Sequence, residues 1–190
     1  MNVINSPRVN LGAFDDFSKW VLLGYACGRT KIYKINQSAG DGVIYGLFDG
    51  DELVCSVYGR MVGKYFEIGD TYTYPGFQRK GYATSLYVNL ITKYGIPLMS
   101  GSSQTALGWR LWQTLRTRNL VKIMDTVSST IIIDDGSIPD SAIYTASDLT
   151  GDRFRFVSEQ LAIKDLWYQS AITADFSRFI REDHSVNGID

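Results

Sequence analysis

The chain has 190 residues, 45% of them hydrophobic and 21% charged, with a formal net charge of −1. This balance describes a folded chain of single-domain size rather than a disordered one, and it lacks the global basic field with which duplex nucleic-acid binders hold phosphates. Cys27 and Cys55 show no metal-ligand spacing and read as buried thiols of a reducing compartment, while the one histidine, His184, stands in a polar tail, so no metal centre is expected.

Residues 1–12 read as a lead-in without a basic-then-apolar leader, and no apolar run is long enough to span a bilayer; a cytoplasmic location and no membrane partner are expected. Phe14, Phe17, Trp20, Val21 and Gly24 recur at helical spacing behind Asp15 and Asp16, which predicts a first helix. Lys31 to Ile35 alternates as a strand, and Ser38 to Gly42 is a turn cluster. Val43 to Phe48 and Glu52 to Tyr58 form a predicted hairpin across Asp49-Gly50, two residues that tolerate positive φ. A further strand, Tyr65 to Tyr74, leads into a Pro-Gly break, a basic loop and an apolar-patterned helix over Thr84 to Tyr94. Ile96 to Met99 is then a short strand, parallel to the one before the loop because a helix connects them. A second helix over Gly108 to Leu115 follows the polar turn Gly101 to Thr105. Leu120 to Asp125 and Thr130 to Ile133 are predicted strands. Beyond Gly136 the tail carries two candidate strands, Ile143 to Thr145 and Phe154 to Val157, and apolar patches between Gln160 and Ile180.

The stretch that points to chemistry is Thr73-Tyr74-Pro75-Gly76-Phe77-Gln78-Arg79-Lys80-Gly81-Tyr82-Ala83. It places a helix N-terminus directly after a cationic loop, where unpaired N–H groups and the positive end of the helix dipole favour an anion. Gly81 permits close backbone approach, and Arg79 and Lys80 add positive charge. The expected ligand is a phosphorylated cofactor. Neither a P-loop nor a dinucleotide fingerprint is present.

The hexad Gln78-Arg79-Lys80-Gly81-Tyr82-Ala83 resembles the Gln/Arg-x-x-Gly-x-Gly/Ala signature of the GNAT superfamily of N-acetyltransferases, and its strand-loop-helix setting is similar as well. The resemblance implies an α+β fold with α/β/α layering, and a mixed, mostly antiparallel sheet whose fourth and fifth strands splay at a bulge to admit a pantetheine arm. It implies acetyl-CoA as cofactor, held by Thr73, Tyr74, Gln78, Arg79, Lys80, Gly81, Tyr82, Ala83 and Thr84. It also implies direct transfer of the acetyl group to an amine of a small molecule or protein. Residues 13–136 match the order of a whole GNAT core, leaving 137–190 as an extension that covers the core, completes a pocket or makes a homodimer contact.

Acetyl transfer needs a base to free the amine. Glu67 stands eleven residues before Gln78, the spacing of a strand glutamate in the histone-acetylating branch. By strand alternation it shares a face with Gly69, Thr71 and Thr73, with Asp70 on the other face as second choice. A backbone N–H near Thr73 is expected to polarise the thioester oxygen. Many relatives protonate the leaving thiolate from a Phe-Tyr pair on the second helix; here the pair is Leu111-Trp112, and indole cannot act as that acid. Trp112 is expected to pack, and Ser102, Ser103 and Tyr82 stand as substitutes. The serine-rich turn and Gly108-Trp109-Arg110-Leu111-Trp112 also resemble GNAT-like proteins of tailed bacteriophages, some of which modify adenine in DNA. Two alternatives therefore stand beside the acyltransferase: an inactive GNAT-fold interaction protein, and a base-modifying enzyme using the basic residues Arg110, Arg116 and Arg118.

Overall fold

A computed structural model describes residues 17–37, 41–132 and 153–158. A 3-10 turn at Phe17–Lys19 leads into β1 (Val21–Tyr25), which is a strand and not the tail of the helix expected over Phe14 to Gly24. Phe14 to Asp16 lie outside the described residues. The physical reason is the tight turn after Ala26, where Gly28 takes φ 55° and Thr30 N–H donates to the Cys27 carbonyl at 2.9 Å. That turn lays β1 antiparallel on β2 (Thr30–Asn36), and ladder pairing overrides a weak 3.6-residue periodicity.

β3 (Gly42–Asp49), β4 (Glu52–Val62) and β5 (Tyr65–Thr73) continue the antiparallel meander. The Asp49-Gly50 hairpin is present, with Gly50 at φ 64°. The chain then crosses through α1 (Tyr82–Thr92) to β6 (Leu98–Met99), which pairs parallel with β5 as the crossover requires. α2 (Ala106–Thr117) starts at Thr105, whose Oγ1 accepts from Gly108 N–H at 3.1 Å. β7 (Lys122–Asp125) and β8 (Thr130–Ile132) form an antiparallel pair. Among the described residues the fold is α+β: one mixed, mostly antiparallel sheet with two helices.

The sheet is not finished at residue 136. β9 (Phe154–Val157) lies between β6 and β7, antiparallel to both, in the order β1-β2-β3-β4-β5-β6-β9-β7-β8. The strand that the division at 136 assigns to an extension is therefore interior to the sheet. Ile143 to Thr145 and residues 160–180 lie outside the described residues.

Two-residue β6 holds its place through bonds on both flanks. Phe66 N–H donates to the Pro97 carbonyl at 2.7 Å, Ser100 N–H to the Phe156 carbonyl at 2.8 Å, and Leu98 N–H to Ser158 Oγ at 2.7 Å. Both described helices pack on one face of the sheet. Tyr82, Leu86, Tyr87, Leu90, Trp112 and Leu115 share a single buried cluster with Ile32, Leu47, Val57, Phe66, Leu98, Ile123 and Phe156. The opposite face carries two smaller apolar clusters, around Ile44 and Phe48 and around Met99, Met124 and Val157.

Candidate functional site

β3 and β5 end at the same end of the sheet, ahead of the loop into α1, while the parallel β6 stops opposite Glu67. β5 and β6 pair only at Phe66/Leu98 and Glu67/Met99. Their last close approach is Gly101 on Ile68, where a Cβ would lie 2.6 Å from the Ile68 carbonyl oxygen. Beyond that point β6 pairs with β9, while β5 runs on to Thr73 with, among the described residues, strand partners on its β4 side alone. Among the described residues this leaves a gap in the sheet, a cleft on the β6 side of Asp70 to Thr73.

Gly69 marks where the strands part. Gly59 pairs with Ile68 and Tyr58 with Asp70, so Gly69 is the extra residue of a β-bulge. The bulge reverses which side chains face the helices. Before it, Phe66 and Ile68 are in the helix-side core; after it, Thr71 Oγ1 meets the Tyr87 hydroxyl at 2.6 Å and Thr73 Oγ1 meets Cys55 Sγ at 3.5 Å. Glu67 therefore faces away from Thr71 and Thr73, contrary to simple alternation, and Asp70 shares its face. Main-chain direction follows the same count. Tyr74 N–H donates to Val54 at 3.0 Å, so Tyr72 and Asp70 also pair toward β4, while the backbones of Thr71 and Thr73 turn toward the cleft. Thr71 N–H donates to its neighbour Asp70 Oδ1 at 2.8 Å, which brings that carboxylate to the cleft edge.

The Glu67 carboxylate is engaged on both oxygens: Oε1 accepts from Arg155 Nη1 at 3.2 Å, and Oε2 lies 3.6 Å from Arg60 Nε. Arg155, buried on β9, also donates to the Ser100 carbonyl at 2.9 Å. This cluster ties β4, β5, β6 and β9 together at the fork.

The loop after β5 curls through three left-handed residues, Gly76 at φ 87°, Arg79 at φ 63° and Gly81 at φ 78°. Phe77 N–H donates to the Tyr74 carbonyl at 3.0 Å, and Gln78 Nε2 reaches back to the Thr73 carbonyl at 3.2 Å. Gly81 is the N-cap of α1; it offers no side-chain cap, no acidic residue occupies the first turn, and Ser85 N–H takes the Gly81 carbonyl at 2.8 Å. The N–H groups of Tyr82, Ala83 and Thr84 are thus the helix's uncapped donors, next to exposed Arg79 and Lys80. Lys80 Nζ sits 5.8 Å over the Phe77 ring, and Phe77 meets Tyr82 edge-on. These residues fit a phosphate-bearing cofactor by charge and donor geometry.

The remaining candidates separate. The Tyr82 hydroxyl donates to Asp49 Oδ2 at 3.2 Å, away from the cleft, and Asp49 also pairs with Arg29. Ser103 is exposed in the loop after β6. Trp112 is 2% exposed, stacked on Phe156 and edge-on to Tyr87, which fits the packing role expected of it. Arg110 is exposed, whereas Arg116 hydrogen-bonds Gln113 one turn back. Thr71, Tyr87 and Arg155 were not singled out by sequence; a glycine interrupting the alternation at position 69 is the signal that points to the first two.

No family model matches the sequence, and no curated protein matches it. Among solved structures, the chain is similar to a protein assigned to the GNAT acetyltransferase family from Bacteroides thetaiotaomicron, at 12% identity and a TM-score of 0.43, over 81% of this chain and 77% of that one. It is similar to PaiA N-acetyltransferase from Thermoplasma acidophilum, solved with coenzyme A, at 16% identity and a TM-score of 0.37, over 65% and 64%. It is also similar to an IAA acetyltransferase from Bacillus cereus at 16% identity and a TM-score of 0.39, over 70% and 99%.

Proposed function

We propose that the chain is an acyl-coenzyme A dependent N-acyltransferase that moves an acetyl group directly to an amine of a small molecule or protein. The observation that carries this reading is the parting of β5 from β6 after Glu67/Met99, with the basic loop and uncapped α1 N-terminus at the mouth of the resulting cleft. Acetyl-coenzyme A, when bound, supplies the activated acyl group. The first-turn N–H groups of Tyr82, Ala83 and Thr84, with Gln78, Arg79, Lys80 and Gly81, hold the pyrophosphate. Thr73 and Tyr74 line the entry, and the Thr73 N–H, directed at the open edge, polarises the acyl oxygen.

Asp70 replaces Glu67 as the leading base in this scheme. Its carboxylate is drawn to the cleft edge by Thr71 N–H, whereas both oxygens of Glu67 are taken by arginines. Glu67 then holds the fork in shape, which positions Asp70 and Thr73. Ser103 stays within the loop bordering the cleft, as an acceptor contact.

Isothermal titration with acetyl-coenzyme A tests the reading. Binding tighter than about 0.1 mM, equivalent to roughly 5.5 kcal/mol, is expected. Release of free thiol should then depend on an added amine and fall at least about 100-fold in Asp70→Asn. No heat and no thermal shift with the cofactor would remove the acyltransferase assignment.

A further inference from the structure

Thr71 and Tyr87 form a closed pair of hydroxyls at 2.6 Å, with the phenol 1% exposed and Thr71 half-buried at the cleft. Two hydroxyls carry two protons, and one hydrogen bond between them uses only one. Burial raises the Tyr87 phenol well above its ordinary value, so it keeps its proton. By distance alone either hydroxyl could donate, but with Tyr87 1% exposed, donation by Thr71 would leave the phenol proton stranded in the core, so the arrangement with Tyr87 as donor is favoured. With Tyr87 donating to Thr71 Oγ1, the Thr71 proton is the one left over. It belongs to the outer member of the pair, on the strand whose neighbour has just departed. Donation by Tyr87 polarises the Thr71 hydroxyl and strengthens it as a donor in turn.

The pair exists because of two local features. The Gly69 bulge turns Thr71 to the helix side, and Trp112 meets the Tyr87 ring edge-on with centroids 5.5 Å apart, fixing the phenol from behind. We infer that Thr71 donates a hydrogen bond to the sulfur of the acyl thioester and of the thiolate that replaces it, with Tyr87 as its positioning residue. The inference rests on the acyltransferase reading and assigns the sulfur contact within that site to β5 and α1, rather than to a residue of α2.

The test uses binding of coenzyme A and of desulfo-coenzyme A, measured by titration calorimetry on the full chain at pH 6 and pH 9. A thiol ionises near pH 8.5 in water, so a donor to the thiolate shows itself at the higher pH. At pH 9 the unmodified protein should prefer coenzyme A by about tenfold, the size of one hydrogen bond to a charged acceptor, and the preference should shrink at pH 6. Thr71→Val, which keeps the shape, should bring the two ligands to within about twofold, Tyr87→Phe should lower the preference by part of that, and Thr71→Ser should retain it. Equal binding of both ligands by the unmodified protein, or a preference that survives Thr71→Val, overturns the sulfur contact while leaving the acyltransferase reading standing. Absence of binding by either ligand overturns both. Thr71→Ser, which keeps the hydroxyl, separates loss of the donor from loss of the fold.

Discussion

Arg155 donates to Glu67 at 3.2 Å across 88 positions of sequence, so a strand near the end of the described chain holds the carboxylate that sequence spacing marks as a base. Removing one partner of a largely buried ion pair leaves the other uncompensated. Arg155→Met should therefore destabilise the fold by about 2 kcal/mol in urea denaturation, less than for a fully enclosed pair because Arg60 remains beside Glu67. Glu67→Gln keeps an acceptor for Arg155 and should cost less, about 1 kcal/mol. If Glu67→Gln instead leaves stability unchanged and abolishes turnover with bound cofactor intact, Glu67 is the base after all.

Arg79 combines a strained backbone with a useful charge. Its φ of 63° is a conformation that glycine adopts without penalty. Arg79→Gly is expected to raise stability by about 0.5–1 kcal/mol while weakening coenzyme A binding, opposite signs from one substitution. Arg79→Ala removes the charge and keeps the strain, so thermal melting and titration of the two variants side by side separate the effects. Paired loss of Arg79 and Lys80 should also flatten the salt dependence of binding.

Gly59 has no room for a side chain. A Cβ there would lie 2.2 Å from the Glu67 carbonyl oxygen and 2.7 Å from the Phe66 ring. Both are fixed parts of the sheet, so Gly59→Ala must push β4 from β5 beside the bulge. A loss of about 2–4 kcal/mol is expected by chemical denaturation, together with loss of cofactor binding. Gly50→Ala, at a turn with open space, should cost only about 1 kcal/mol.

Asp125 gives the fold an acid-sensitive joint. Hydrogen bonding from Arg153, followed by the N–H groups of Val127 and Ser128, holds its carboxyl below the ordinary value despite burial. A depressed folded value means that the stabilisation is complete above the unfolded carboxylate's pKa of about 3.9 and is lost as pH falls through the folded value. Melting temperature should therefore drop as pH is lowered below about 4, and Asp125→Asn should show a shallower drop. An unchanged slope in that variant would assign the acid sensitivity elsewhere.

Much of the molecule was legible because local signals agreed with the final fold. Asp49-Gly50 is a hairpin whose turn chemistry leaves little choice, and the apolar spacing between Tyr82 and Ile91 is satisfied by a helix buried on several sides. The loop from Pro75 to Gly81 was readable for the same reason. What escaped depends on long-range pairing. Periodicity predicts helix from Trp20 to Gly24 because it ignores the β2 ladder that claims the segment. Alternation puts Glu67 on the face of Thr71, but one extra residue, Gly69, inverts everything downstream, and a count by twos carries no memory of a bulge. The place of Phe154 to Val157 could not be read at all, since a buried strand looks alike wherever it inserts.

That late insertion bears on how the polypeptide emerges from the ribosome. β6 and β7 are both made before β9, yet neither pairs with the other in the finished sheet. Until residues 154–157 are synthesised, the meander up to β6 and the β7-β8 pair are two separate ladders, each ending in a strand that lacks its neighbour. Open edges of this kind recruit foreign strands. A nascent chain released before Phe154 should accordingly be protease-sensitive and prone to aggregate, whereas one extended past Ser158 has the means to join its two ladders.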